Sequence, residues 1–232
     1  MLLLSTVLIL IGGMVEMIPT FMIKSNIPTI ASVKPYTPLE LHGRDIYIRE
    51  GCYTCHSQMV RPFRHETERY GEYAKAGEYI YDHPFQWGSK RTGPDLHREG
   101  GKYPDSWHYH HMREPISMSP GSIMPPYPWL LEQKLNTTDI EAKMKAMQKL
   151  GVPYDAYQIQ KAQEDLLRQS EANLRSIMDS SVQAFWLTDT ALRVKAFNKL
   201  TAHTVRTLFE RDIVLGDSIL NYVQPEQHES FL

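Results

Sequence analysis

Two cysteines and a histidine that lie within five residues are the side chains best placed for chemistry. They are Cys52, Cys55 and His56, in the pattern C-x-x-C-H. This pattern is the attachment site of c-type haem: each thiol forms a thioether bond with a vinyl group, and the adjacent imidazole binds the iron. The chain holds no other cysteine, so no thiol remains for a disulfide framework. We therefore predict one covalent haem c, with His56 as the proximal iron ligand.

Two other uses of a C-x-x-C pair have to be weighed against haem. A structural zinc site needs two further Cys or His ligands at matching spacing, and the sequence has no second C-x-x-C. A thiol redox pair of the thioredoxin kind is embedded in a βαβ pattern, which the flanking residues do not show. The motif and its adjacent histidine favour haem over both.

The second axial ligand is predicted to be a methionine, because a Met–His pair suits an iron that only passes electrons and raises its potential. We favour Met124, in the segment G-S-I-M-P-P-Y-P-W, which has too much proline for a helix or a central strand. A stiff loop loses little entropy when it orders a side chain. The alternative is that Met124 fills a core gap. Met118 and Met112 are the next candidates, whereas Met59 follows His56 too closely to reach the opposite side of a haem.

Two further groups could hold the haem. A ligating histidine needs an acceptor on its other ring nitrogen, and the carbonyl of Pro94, in T-G-P-D-L, can provide it. An ordinary Gly-Pro turn would leave the same pattern. Arg61, in R-P-F-R-H, could pair with haem propionates through its forked donors, face a partner, or be solvated.

The first 23 residues are almost wholly apolar, with Glu16 as their only charge. As a helix they would be roughly 35 Å long, enough for a bilayer core of about 30 Å. A signal peptide would have a basic start, a shorter apolar core and an A-x-A-like cleavage site, and none of these is present. We predict a single-pass anchor over residues 1–24. No Lys or Arg precedes it, so the positive-inside rule gives no orientation.

Longer motifs in residues 1–169 resemble those of one family, the monohaem cytochrome c subunit (FixO/CcoO) of the cbb-type, C-family haem-copper oxidases. They are Y-T-P-L-E-L-H-G-R-D-I-Y at 36–47, C-H-S-Q-M-V-R-P-F at 55–63 and M-P-P-Y-P-W-L at 124–130. C-x-x-C-H alone would be unspecific among c-type cytochromes. The turn at residues 93–96 is also similar to the one in class I cytochromes c, where a proline carbonyl meets the proximal histidine.

The resemblance implies a role and a place in the cell. His56 and Met124 would be the axial ligands, and electrons would pass from a donor cytochrome through this haem to a haem–copper catalytic subunit. A further cytochrome c subunit would be a second partner. The subunit would be non-catalytic by itself. Because haem c is attached on the outer face of the bacterial inner membrane and C-x-x-C-H follows the span, we predict the N-terminus inside and the haem domain on the periplasmic side.

The expected fold is mainly α. A class I-like cytochrome c domain with long loops is predicted at 25–135, followed by a helical segment at 136–169. Ile140, Met144, Met147 and Leu150 recur at helical spacing and predict a core face. A second, longer helix is predicted from Tyr154 to about residue 180.

The tail, residues 170–232, differs in composition and resembles the first half of a PAS sensor domain: lead helix, strand 184–189, turn, strand 193–199 and helix 200–208. We predict a partial α+β segment there, least ordered over its last fifty or so residues. This resemblance supports an alternative function, a membrane-anchored haem sensor with a PAS-like output. A gas sensor needs an open iron site, so paired His/Met ligation favours the electron carrier.

Several other function classes are not indicated by the sequence. The formal net charge is −2, which gives no nucleic-acid footprint, and G-x-S-x-G, P-loop and H-E-x-x-H motifs are missing. His108 and His111 would share a helix face and could bind a metal. Pairs of this kind are more often surface or packing residues.

Overall fold

A computed structural model describes residues 1–22, 28–58, 61–86, 88, 91–181 and 183–223. This part of the chain is mainly helical, which confirms the predicted fold class. Its helices are α1 (Leu2–Met22), α2 (Pro38–Arg49), α3 (Arg64–Tyr70), α4 (Asp105–Arg113), α5 (Pro115–Met118), α6 (Trp129–Glu132), α7 (Ile140–Lys149), α8 (Ala156–Gln160), α9 (Ala162–Ser180) and α10 (Lys199–Phe209). Two strands, β1 (Trp186–Thr188) and β2 (Val194–Phe197), form one antiparallel sheet. Short 3₁₀ turns lie at Cys52–Thr54, Ala76–Tyr79, Leu96–Arg98 and Ile219–Tyr222.

The chain forms two compact units. The first contains residues 1–99 and 139–162, and the second contains residues 100–138 and 163–232. The predicted domain boundaries, after residues 24, 135 and 169, divide the chain into consecutive segments. These boundaries stay a prediction.

Helix α1 is the apolar N-terminal segment. Over Leu2–Pro19 its mean hydropathy is 2.1, and none of these residues is buried by the rest of the protein. Within the described ranges it is the one helix with the length and composition to cross a membrane. Its 21 residues span about 31 Å, matching a bilayer core. The last two residues of the predicted anchor, Ile23 and Lys24, lie outside the described residues.

Helix α2 leads the chain into the C-x-x-C-H motif. Thr37 caps its N-terminus in a capping box with Glu40, and Pro38 occupies the first turn, where its missing N–H is harmless. The helix buries Leu41 and packs against α7. It ends at Arg49, and Gly51 (φ +72°) adopts the left-handed conformation that turns the chain toward the motif.

The helical pattern in residues 140–150 is confirmed for three of its four members. Ile140, Met144 and Met147 are buried, so this methionine-rich face is core. Leu150 is 57% exposed because α7 has ended at Lys149. Gly151 then takes a positive φ of +103° and redirects the chain.

The helix predicted from Tyr154 to about residue 180 is divided into α8 and α9 at Lys161. Tyr154 lies before α8, because the side chain of Asp155 caps that helix in a capping box with Gln158. The Tyr154 hydroxyl donates to the carbonyl of Tyr36 at 2.7 Å. This bond ties the start of the second helical segment to the chain that enters α2.

The described part of the tail folds around a small core of its own, and the expected poor order of its last fifty or so residues stays a prediction. In the sheet, Trp186 of β1 pairs with Phe197 of β2. The strands and α10 then enclose a buried apolar cluster, consisting of Val194, Val205, Ile213, Ile219 and Tyr222. Residues 224–232 lie outside the described part of the chain.

Candidate haem-attachment site

The C-x-x-C-H motif forms one tight turn directly after α2. Cys52 begins a 3₁₀ turn, and its carbonyl accepts hydrogen bonds from the backbone N–H groups of Cys55 (3.2 Å) and His56 (2.8 Å). Cys52 is half-buried and Cys55 is exposed. Both thiols and the imidazole therefore originate from a single turn that an external group can reach.

Burial and the nearby carboxylate of Glu50 raise the pKa of the Cys52 thiol. An ordinary thiol has a pKa near 8.5, so Cys52 carries its proton at neutral pH. It enters any reaction as a thiol unless a base removes that proton.

The loop that holds Pro94 lies against this turn. The N–H groups of Thr92 and Gly93 donate to the carbonyl of Cys55 at 2.8 and 3.1 Å, and residues 56 and 91 form an isolated antiparallel bridge. Two chain segments about 35 residues apart are thus joined through their backbones.

The imidazole of His56 contacts the carbonyl of Pro94. Its Nδ1 lies 2.9 Å from Pro94 O, and because a carbonyl only accepts, this nitrogen is the N–H donor. With Nδ1 engaged in this way, Nε2 is the ring nitrogen that would bind iron. The contact is the one that the resemblance to class I cytochromes c led us to expect, and the roles of His56 and Pro94 toward a haem stay predictions.

Gly93 packs directly against the His56 ring. A Cβ built at residue 93 would lie 2.2 Å from Cε1 of His56, closer than any side chain could be accommodated without movement. The absence of a side chain at residue 93 is therefore required by the ring's position.

Tyr47 of α2 also bonds to His56, and sequence reasoning did not identify it. Its hydroxyl donates to the carbonyl of His56 at 2.6 Å. Burial, followed by the neighbouring Cys52 and Asp95, raises the pKa of Tyr47, so its proton is retained at neutral pH. The available signal was its place in the Y-T-P-L-E-L-H-G-R-D-I-Y motif, nine residues before His56.

A buried ion network lies behind the turn. Arg91 donates to the carbonyl of Ser57 through Nη2 (2.8 Å) and Nε (3.2 Å). Its Nη1 also donates to Glu66 at 3.2 Å, and its Nη2 lies 3.5 Å from Asp95. Arg61, predicted to meet haem propionates or a partner, forms an ion pair with Glu66 at 2.8 Å. Sequence reasoning missed Arg91 and Glu66.

Met124 lies in the second unit, whereas His56 lies in the first. The Met124 side chain is half-buried, and its backbone N–H donates to the Ser122 hydroxyl at 3.2 Å. The alternatives Met112 and Met118 are also half-buried, in α4 and at the end of α5. Ligation by Met124 stays a prediction, and Met59 lies outside the described residues.

The histidine pair of α4 makes aromatic contacts. His111 stacks on Trp107 with ring centroids 4.5 Å apart, and His108 meets the same indole edge-on at 5.2 Å. Among the residues described by the structure, no group of three or more His, Cys, Asp or Glu could hold a metal ion.

The turn fits a haem. A fixed imidazole with one nitrogen held by a carbonyl, next to two thiols in the same turn, is the set of donors that c-type cytochromes use. The chain belongs to the family "Cytochrome C oxidase, mono-heme subunit/FixO", whose family model matches residues 1–205. No curated protein matches the chain.

Family membership settles several expectations at a coarse level. The protein is the mono-haem subunit of a cytochrome c oxidase, its cofactor is haem, and it takes part in electron transport. Its partners are other subunits of the oxidase complex. Together with the apolar helix α1, membership indicates a membrane-anchored protein.

The match also corrects the interpretation of the tail. It extends to residue 205, through both strands and into α10, whereas the motifs suggested that the oxidase-like part ends at residue 169. The PAS resemblance of residues 170–232 is not supported. A two-stranded hairpin followed by a helix is a short unit that recurs in many folds, so its pattern cannot identify one of them.

Proposed function

We propose that this protein carries one covalent haem c and relays single electrons between oxidase subunits. Cys52 and Cys55 would hold the haem through thioether bonds, and His56 and Met124 would be the axial ligands. The observation that carries the proposal is the contact between His56 Nδ1 and Pro94 O in the same turn as the two thiols. That contact orients an imidazole for binding a metal through its other nitrogen.

The bound haem would supply a one-electron iron couple, with a potential raised by Met–His ligation. The chain's own residues have a different task, which is to hold the imidazole in place. Pro94 O fixes the ring through Nδ1, Gly93 leaves room for it, and Tyr47 fixes the backbone carbonyl of His56. A ligand whose position does not change between oxidation states suits a carrier that only passes electrons.

The direction of transfer and the membrane orientation belong to the same proposal. Electrons would pass from a donor cytochrome to this subunit and then to the haem–copper catalytic subunit, with a further cytochrome c subunit in the complex. The C-x-x-C-H turn follows α1 in the chain, and haem c is attached outside the bacterial inner membrane. The N-terminus of α1 would therefore lie inside and the haem on the periplasmic side.

The covalent haem is tested with the full chain, produced in a bacterium that attaches haem c. Haem should remain on the polypeptide after denaturation in detergent, and Cys52→Ala with Cys55→Ala should abolish this. Haem that dissociates from the denatured wild-type chain would contradict covalent attachment.

The second ligand is tested by the visible spectrum of membranes with and without carbon monoxide. The wild type should be low-spin and inert, and Met124→Ala should become high-spin and reactive. Met112→Ala and Met118→Ala are matched controls that should behave as the wild type. Carbon monoxide binding by the wild type would show an open sixth position and favour a sensor over a carrier.

The relay is tested with the assembled oxidase. The haem of this subunit should be reduced by the donor and reoxidised with oxygen at rates no slower than turnover, and Met124→Ala should slow oxygen consumption. Reoxidation slower than turnover would refute the relay.

The orientation is tested with protease added to intact spheroplasts, which should cleave residues after α1. Protection of those residues would refute the orientation.

A further inference from the structure

Three consecutive backbone carbonyls in the haem-attachment turn, defined here as residues 52–57, are each held by a different donor. The carbonyl of Cys55 accepts from two backbone N–H groups of the loop at 92–93. The carbonyl of His56 accepts from the Tyr47 hydroxyl, and that of Ser57 accepts from the guanidinium of Arg91. The backbone on both sides of the His56 side chain is thus fixed.

Among the donors to these three carbonyls, Arg91 is the one side chain that joins the loop carrying Pro94 to the segment carrying His56. It belongs to the loop that carries Pro94, three residues later, and it reaches across to Ser57, the residue after His56. Two of its nitrogens converge on one carbonyl oxygen. Pro94 and His56 contact each other directly, and the backbone bonds to Cys55 join the same two segments. The Arg91 side chain adds a further link between them.

The environment of Arg91 holds it in this geometry. Only 3% of its side chain is exposed, and two carboxylates, Glu66 and Asp95, lie at 3.2 and 3.5 Å. A buried guanidinium is tolerated when paired charges and hydrogen bonds offset its desolvation. The forked donor set of arginine can serve a carbonyl and a carboxylate at once, which the ammonium of lysine cannot do in the same plane.

We infer that Arg91 is a positioning residue for the axial imidazole. It clamps the Pro94 loop onto the segment that carries His56 and thereby sets the orientation of the ring. The inference rests on the proposed function, because it takes His56 as the iron ligand. Arg91 acts on the ring through the backbone of Ser57 and through the loop that carries Pro94.

A second buried arginine provides a matched control. Arg44 of α2 has 7% of its side chain exposed and pairs with the buried carboxylate of Asp82, and it donates to the carbonyl of Pro84 at 3.1 Å. Loss of either arginine leaves buried carboxylate charge uncompensated, which destabilises a fold. Only Arg91 bonds to the haem-attachment turn, so the pair separates positioning from general stability.

The experiment uses the full membrane-bound holoprotein as wild type, Arg91→Met, Arg91→Lys and Arg44→Met. Each is examined by low-temperature electron paramagnetic resonance of the oxidised iron, which reports the orientation of the axial imidazole, and by the midpoint potential. Arg91→Met should change both readouts. It should also lower the carbon monoxide concentration that half-saturates the iron by about tenfold or more, as expected when a ligand loses support outside the ligand shell. Arg91→Lys should recover part of the change, and Arg44→Met should match the wild type in both.

The outcomes separate this inference from the proposed function. Wild-type resonance and potential in both Arg91 variants would overturn the positioning role while the carrier stands, and so would equal changes in Arg44→Met and Arg91→Met. A wild-type chain without covalent haem would overturn both proposals. If Arg91→Met does not accumulate, Arg91→Lys and Glu66→Gln are compared instead, and wild-type readouts in both would overturn the inference.

Discussion

Replacement of Gly93 by alanine tests whether the close approach at residue 93 determines where the His56 ring lies. The added Cβ would be 2.2 Å from Cε1, 2.7 Å from Nδ1 and 2.8 Å from Nε2 of His56. Ordinary contact begins at 3.4 Å, so the ring would have to retreat by 3.4 minus 2.2, or about 1.2 Å. Backbone strain does not contribute, because Gly93 is not among the glycines with positive φ.

A retreat of that size breaks the 2.9 Å contact between His56 Nδ1 and Pro94 O. The lost hydrogen bond costs about 0.5–1.5 kcal/mol, and loss of a partner outside the ligand shell lowers metal affinity about 10- to 100-fold. We expect Gly93→Ala to keep its covalent haem, because both thiols are unchanged. The bond between His56 and iron should nevertheless weaken by about tenfold or more.

The assay follows the low-spin spectrum during titration with guanidinium chloride, since detachment of an axial ligand abolishes that spectrum. Gly93→Ala should lose it at a lower denaturant concentration than the wild type. Gly88→Ala is the matched control, because its added Cβ would lie 3.6 Å from Tyr53 O and 3.7 Å from Ser57, which is ordinary contact. Equal midpoints for Gly93→Ala, Gly88→Ala and wild type would refute the packing argument.

Two further predictions concern stability outside the turn. Glu78 accepts two hydrogen bonds from Arg98, at 2.7 and 2.9 Å. Burial would raise the pKa of Glu78, but the Arg98 hydrogen bonds, the Lys75 N–H and the nearby positive charge together outweigh burial and lower that pKa from its ordinary value. Glu78→Gln should therefore cost about 1.5–3 kcal/mol at neutral pH. The pKa of Glu78 is lower in the folded than in the unfolded state, so its contribution to stability is lost only as pH falls below 4.5. In acid denaturation followed by circular dichroism, the difference in stability between Glu78→Gln and wild type should shrink over that range. A difference that stays constant down to full protonation would contradict the prediction. In the tail, the side chain of buried Asn198 accepts from the Thr201 N–H, which caps α10, and donates to the carbonyl of Gln183. Asn198→Ala should therefore lower the hydrogen-exchange protection of residues 186–209 by about 2–4 kcal/mol. Replacement of the exposed Asn221 by alanine is the control and should leave that protection unchanged, and equal protection in the two variants would refute the importance of the cap.

Local sequence carried the prediction of the haem-attachment turn, because its thiols and imidazole lie within five residues. The contact of Pro94 with His56 was accessible only through family resemblance, since a Gly-Pro turn alone does not show what its carbonyl meets. Arg91 and Glu66 could not be predicted. Their partners are separated by 25 to 34 residues along the chain, and no local pattern records which side chains a loop brings together.

The helices show the same division between local and tertiary information. The spacing of Ile140, Met144 and Met147 predicted their burial, because a helical period places them on one face. Gly151 and Pro153 indicate that the helix ends here, as it does at Lys149, but the spacing gave no sign that Leu150 is exposed. The division between α8 and α9 was also missed, since the apolar spacing runs through Lys161 without interruption.

The burial of the ion network behind the haem-attachment turn determines how this protein should respond to salt. At an ionic strength of 0.15 M the field of an exposed charge decays within about 8 Å, whereas buried pairs are screened much less. The side chains of Arg91, Glu66 and Asp95 are between 3% and 10% exposed, so salt should leave the geometry of the turn unchanged. Any dependence of electron transfer on ionic strength can then be assigned to the encounter between proteins rather than to the site within this one.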